Sequence, residues 1–396
     1  MKSNSRTIIV VLYFIVFFVL DFFNKDQVHV SEDLLWLIKA IKSTFLLLFL
    51  SILIYDKNWS SLKNSAFLAT LVAIHQGLLL FDHYDMIVAG SYDTTRELLL
   101  YCFPLVFLSY IGTITEKEDL ALLAVLFEVI ILIVVATTFA GFLFSIFYFK
   151  SYFLRFGYLG VLPKSITATY FYISALIYTY HFIDRSTWIK ILFTLTLFGS
   201  LLVGTKSIYL FLFLFTIYLF IFNKWYQKKV FYGSVLFIAI LFWVYGSTII
   251  LALRKVFFTL ENVYQKRGLL SAVSSYRNDI FFELSQKYQP TWEWYNYLIG
   301  GRISSLPTFE MTIIDLVVSF GFIGMAYYMY NIHSLTSCKP PNHCCFINFS
   351  LYSVFIISIF AGQFFTNISA ISYVVLALFL VNRTISRNNK NELQQS

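Results

Sequence analysis

Apolar residues in this chain come in long unbroken runs, and polar residues are confined to the breaks between them. Thr7 to Leu20, Phe45 to Ile54 and Ile208 to Phe222 are apolar on every face, so periodicity does not separate helix from strand and run length decides instead. Most runs are long enough to cross a bilayer. Lipid cannot satisfy open backbone groups, and no alternation of apolar and polar residues recurs, so the pattern predicts helices rather than barrel strands. Setting the runs against the charged breaks places spans near 7–22, 34–54, 65–81, 97–114, 120–143, 166–183, 188–204, 207–222, 231–252, 311–329, 346–362 and 368–382, about twelve helices in all. The expected fold class is an all-α polytopic membrane protein. It divides into N-terminal transmembrane helices (1–253), an external loop (254–310) and C-terminal transmembrane helices with a cytoplasmic tail (311–396).

Composition agrees with lipid as the solvent: 59% of residues are hydrophobic and 13% charged, with a mean hydropathy of +0.74, which excludes an ordinary water-soluble domain. The first run ends in Leu20-Asp21-Phe22-Phe23 without a small-residue cleavage site, so it reads as a span and not as a removed leader. Lys2 and Arg6 precede it and place the N-terminus in the cytoplasm. By parity Lys57, Lys63, Lys117, Arg185, Lys190, the Lys224 cluster and Arg383 fall on that side too, and the C-terminus with them. The net charge of +8 does not imply nucleic acid, because the basic residues are scattered through loops. They read as topology signals and contacts to anionic ligands. Cys338, Cys344 and Cys345 share a short loop flanked by His333 and His343. Their spacing matches no standard zinc finger, so reduced thiols are expected, and no metal or cofactor.

Three outward segments carry the candidate chemistry. The first, Asp82 to Arg96, is acidic; the second, Lys150 to Lys164, is aromatic and basic and contains Arg155. The third, from about Arg254 to Glu310, is far too long for a simple connector and too aromatic for a disordered one. Within it Leu269, Leu270, Val273, Tyr276, Ile280, Phe281 and Leu284 recur at helical spacing, predicting an amphipathic helix along the interface with Arg277 at the edge of its stripe. Arg155, Arg277 and Arg302 sit among glycine and aromatic residues, and a planar guanidinium suits a diphosphate bidentately. Lys206, in the short Gly204-Thr205-Lys206-Ser207 hairpin, is placed to meet phosphate or simply to reach the headgroups. Glu310 stands at the outer end of a span and Asp315 more than a turn deeper, where a carboxylate needs a partner or a task. Trp292, Trp294 and their aromatic neighbours are either an interfacial anchor or a platform for sugar rings.

In these features the chain resembles the Wzy-type polysaccharide polymerases and the related O-antigen ligases. The likeness is sharpest in the Gly204-Thr205-Lys206-Ser207 hairpin and in Ser275-Tyr276-Arg277-Asn278-Asp279. It is also clear in Gly300-Gly301-Arg302 followed by Glu310, Asp315, Gly321 and Gly324, where Thr312 stands in place of the family's middle Asp. The resemblance implies a GT-C-like fold in the bacterial cytoplasmic membrane. It implies metal-independent transfer of a growing glycan from undecaprenyl diphosphate to a lipid-linked oligosaccharide repeat unit at the outer face. The implied catalytic residues are Arg277, Glu310 and Asp315, with Arg155, Lys206, Arg302, Trp292, Trp294 and Tyr276 binding diphosphate or glycan. Membrane lipid and a chain-length regulator are the other partners it suggests. No His occurs between His181 and His333, which favours polymerase over ligase. A flippase or transporter, the alternative from another class, would need charge through the middle of several spans.

Overall fold

The computed structural model describes residues 3–23, 25, 32–82, 84–151, 156–222, 224–227, 232, 243, 262, 264–266, 268, 271, 276–290, 292–302, 306–336, 345–362 and 364–395. Among them the chain is all-helical, with no strand beyond one bridge between Lys150 and Tyr158. In chain order the helices are α1 (Ser3–Phe23), α2 (Glu32–Tyr55), α3 (Trp59–Asp82), α4 (Tyr84–Ile111), α5 (Lys117–Leu143), α6 (Ser165–His181), α7 (Thr187–Leu202) and α8 (Lys206–Ile221). They are followed by α9 (Arg277–Tyr288), α10 (Trp294–Ile299), α11 (Thr312–Thr336), α12 (Cys345–Ala361) and α13 (Ile368–Gln395). Four of the described helices are long and apolar enough to cross a membrane: α1 over Ser5–Phe23, α5, α11, and α13 over Ile368–Ile385. Shorter apolar stretches in α2, α3, α7, α8 and α12 accompany them. The chain is thus a helical membrane protein.

Local chemistry sets several helix ends. The Ser186 hydroxyl accepts from the Ile189 N–H and starts α7. Glu118 and Asp119 lie in the first turn of α5, where negative charge meets the positive end of the helix dipole. Glu293 and Asn296 exchange reciprocal side-chain bonds that open the short α10. The core is strongly aromatic. Tyr13 is fully buried among Phe14, Phe17, Phe49 and Phe107, and its hydroxyl is satisfied by Ser372 across the bundle.

Polar contacts gather at the two ends of the bundle and fix the helices as alternately up and down. At one end Arg6 pairs with Asp56 at 2.9 Å, the Tyr110 hydroxyl donates to the Arg6 carbonyl, and Arg383 donates to the Gly112 carbonyl. The starts of α1 and α3 therefore meet the ends of α2 and α4 and the point where α13 turns polar. At the other end Tyr148 donates to the Phe22 carbonyl, Lys25 to the Gly160 carbonyl, and Asn367 to Thr167. The same side holds an ion pair between Lys42 and Asp21 at 2.7 Å, with the Asp21 side chain almost fully buried.

Two expectations change in detail. The outward segment Asp82 to Arg96 precedes the span expected at 97–114, yet α4 is already helical from Tyr84, because no proline or glycine pair interrupts a sequence whose polar turns remain compatible with helix. The amphipathic stripe expected from Leu269 is broken at Tyr276, which adopts a left-handed backbone (φ 68°), so α9 starts at Arg277. Leu284 and Tyr288 of α9 then pack on Phe309 and Val318. The expected span 231–252 except Tyr232 and Trp243, together with Arg155, Cys338, His343 and Cys344, lies outside the described residues.

Candidate functional site

The site is built where the polar segment before α11 folds back onto the bundle. A break in α11 makes this possible. Gly321 has φ 67° and ψ −179°, a conformation open in practice only to glycine, and a Cβ there would fall 2.1 Å from the Leu298 carbonyl oxygen. A Cβ on Gly300, which has φ 92°, would fall 2.6 Å from the Ser319 carbonyl oxygen. The Gly301 N–H donates to the Val318 carbonyl at 3.0 Å, so α10 and the turn after it dock into the break and supply one of its hydrogen bonds. The Trp292 indole N–H ties the same turn from above by donating to the Gly301 carbonyl at 3.0 Å.

Arg302 follows that turn into the protein. Its side chain is nearly buried and its Nε lies 2.6 Å from Glu97 Oε2 of α4, so this guanidinium is committed to an internal ion pair. Asp315 is also committed. One carboxylate oxygen accepts from the Phe309 N–H at 2.8 Å, holding the backbone just ahead of Glu310. Glu310 itself has φ 56°, and Gly362, at the end of α12, packs so close that a Cβ would sit 1.8 Å from the Glu310 carbonyl oxygen. The Glu310 side chain is left 43% exposed, and its Oε2 stands 3.9 Å from Arg277 Nε at the start of α9.

Arg277, Glu310, Asp315 and Arg302, separated by up to 38 positions in sequence, are therefore brought together in one polar cluster. Glu97 and Gly362 belong to the same cluster and were not singled out from sequence. Glu97 is a lone acid at the start of an apolar run, and that is the signal that could have found it. Lys206 begins α8, whose preceding residue Thr205 is hydrogen-bonded to Thr169 of α6 at 2.7 Å. Gly204, with φ 71°, presses on the Phe156 carbonyl, which locks this hairpin against the segment after Arg155. The two tryptophans part company. Trp292 packs edge-on against Tyr288 and Tyr297, whereas Trp294 is 71% exposed, and Tyr276 lies partly exposed at the α9 start.

No protein-family model matches this chain, and no curated protein or solved structure matches it either.

Further cations stand at this end of the bundle. Lys164, immediately before α6, has Lys42 and Arg96 as electrostatic neighbours; partial burial and then these two cations lower its pKa, with Asp21 opposing. Chemically, the cluster offers a half-buried guanidinium beside a partly exposed carboxylate, with Arg302 and Asp315 buried underneath and the half-buried Glu97 paired to Arg302. Such an arrangement can hold an anionic group and accept a proton at adjacent positions. Among the described residues no group of three or more His, Cys, Asp or Glu side chains is placed to hold a metal ion.

Proposed function

We propose that the chain is a Wzy-type polysaccharide polymerase of about twelve spans with a GT-C-like fold, acting at the outer face of the bacterial cytoplasmic membrane. The observation that carries this reading is the Arg277–Glu310 pair at 3.9 Å, with a partly exposed carboxylate beside a guanidinium. In the proposed reaction a hydroxyl of the lipid-linked repeat unit attacks the anomeric carbon of the growing glycan. That bond forms as the bond from the anomeric carbon to the undecaprenyl diphosphate oxygen breaks. Glu310 takes the hydroxyl proton. Arg277 neutralises the charge that develops on the departing diphosphate, without the need for a metal. Asp315 and the Arg302–Glu97 pair act from beneath by fixing the backbone that carries Glu310. Lys206 and Arg155 extend the positive surface, and Trp294 supplies an exposed ring for sugar.

The test is replacement of Arg277 by Ala and by Lys in cells or vesicles that make the glycan. Polymerisation is expected to fall by about a hundredfold or more, leaving single repeats on the outer leaflet. Repeats trapped on the cytoplasmic leaflet would indicate a flippase instead. Full-length polymer from both variants would remove Arg277 from the reaction.

A further inference from the structure

Tyr170 of α6 is fully buried, and among the described residues its hydroxyl has no hydrogen-bond partner. A hydroxyl left unpaired in the interior costs roughly 1–3 kcal/mol, so its place calls for a reason. Its surroundings supply one. The Tyr170 ring packs on Phe364 at 4.4 Å, two residues past Gly362, and Gly362 is the residue pressed against the Glu310 carbonyl. Glu310 in turn faces Arg277, and the Arg277 guanidinium lies within electrostatic reach of the phenol. Tyr170 thus packs beside the segment that supports Glu310 and lies within electrostatic range of Arg277, and no sequence motif marks it.

We infer that Tyr170 is a ligand-binding residue whose hydroxyl donates to an oxygen of the anionic group held by Arg277. The inference rests on the proposed diphosphate chemistry and adds a second, uncharged donor to it. The hydroxyl is covered by the surrounding helices. The Arg277–Glu310 contact is long at 3.9 Å and Glu310 is partly exposed, so an arriving phosphate competes with a weak pair. As the guanidinium turns from Glu310 to the phosphate, the phenol gains the acceptor it lacks. A neutral donor suits this position because it adds a directed bond without a further buried charge to desolvate.

The test uses full-length protein in nanodiscs, with farnesyl diphosphate as the probe and farnesol as its uncharged counterpart. Tyr170→Phe removes only the oxygen and keeps the ring on Phe364. It is expected to weaken farnesyl diphosphate binding roughly ten- to a hundredfold, the worth of a hydrogen bond to a charged group, and to leave farnesol binding unchanged. Arg277→Ala should weaken the diphosphate at least as much. Wild-type diphosphate affinity in Tyr170→Phe, with Arg277→Ala impaired, overturns the inference and leaves the polymerase reading standing; that is also the outcome if the hydroxyl merely holds a structural water. Unchanged affinity in both variants overturns both. A 3-fluorotyrosine at position 170 gives a readout independent of the Phe variant's stability. Its fluorine resonance should shift on adding farnesyl diphosphate and not farnesol, and a resonance indifferent to both refutes the contact.

Discussion

Glu310 is held in a left-handed backbone that costs a non-glycine residue about 1 kcal/mol or more, and its neighbours show what maintains it. Asp315 grips the preceding N–H, and Gly362 leaves room for the carbonyl. The two carboxylates thus differ in task, although they stand only five positions apart. Glu310→Gln should lower polymerisation by about a hundredfold or more while leaving the protein as stable as the parent, the size expected for loss of a general base. Asp315→Asn should instead lower thermal stability and activity together, because an amide at that position holds the Phe309 N–H less strongly. Glycan length on gels, read alongside melting in detergent, separates the two. A second residue prediction concerns Lys25, after the end of α1. Burial pushes its ammonium from the usual 10.5 down to about 7. Between those values the unfolded chain binds a proton that the folded chain does not, so stability should rise with pH through this window and lie flat below it. Denaturant titrations across pH 6 to 10 should show the rise, and Lys25→Met should flatten it.

At the scale of elements, the helices were legible wherever lipid alone dictated them. The runs that became α1, α5, α11 and α13 needed only length and apolarity to be recognised. What sequence did not reveal was how the polar segment re-enters the bundle. Gly321 and Gly324 read as small residues that admit a neighbouring helix, yet Gly321 breaks its own helix so that α10 can dock there. Composition cannot distinguish a glycine that serves packing from one that serves a positive φ. Tyr276 was hidden for a similar reason, since a tyrosine in a left-handed turn leaves the apolar periodicity intact. Gly321→Ala should therefore destabilise the protein by about 2–3 kcal/mol, visible as early melting and protease nicking after Trp292. Gly362→Ala should be the sharper functional probe, since its Cβ pushes on Glu310 itself, and should depress activity well beyond its effect on melting.

For the whole molecule, the contacts at the two ends of the bundle are the informative ones. Arg6, Asp56, Tyr110 and Arg383 meet at one end, so the start of α1 and the point where α13 turns polar share a side. Cysteines placed at Ser5 and Thr384 should then be labelled by an impermeant thiol reagent from the same side of sealed vesicles, and a cysteine at Trp294 only from the other. Agreement between the two end positions with Trp294 labelled from that same side would contradict the arrangement of α9 and α10.

The fracture in α11 also limits how this protein can diversify. Because Gly301 donates a main-chain bond that the broken helix accepts, the span and the segment 277–310 complete each other as two parts of one fitting. Exchanging that segment for a foreign one would strand carbonyls in hydrocarbon unless the newcomer brought a matching amide to the same depth. On the proposed reading, variation in what such a protein recognises is therefore channelled into exposed side chains such as Trp294, while the socket that seats them stays unaltered.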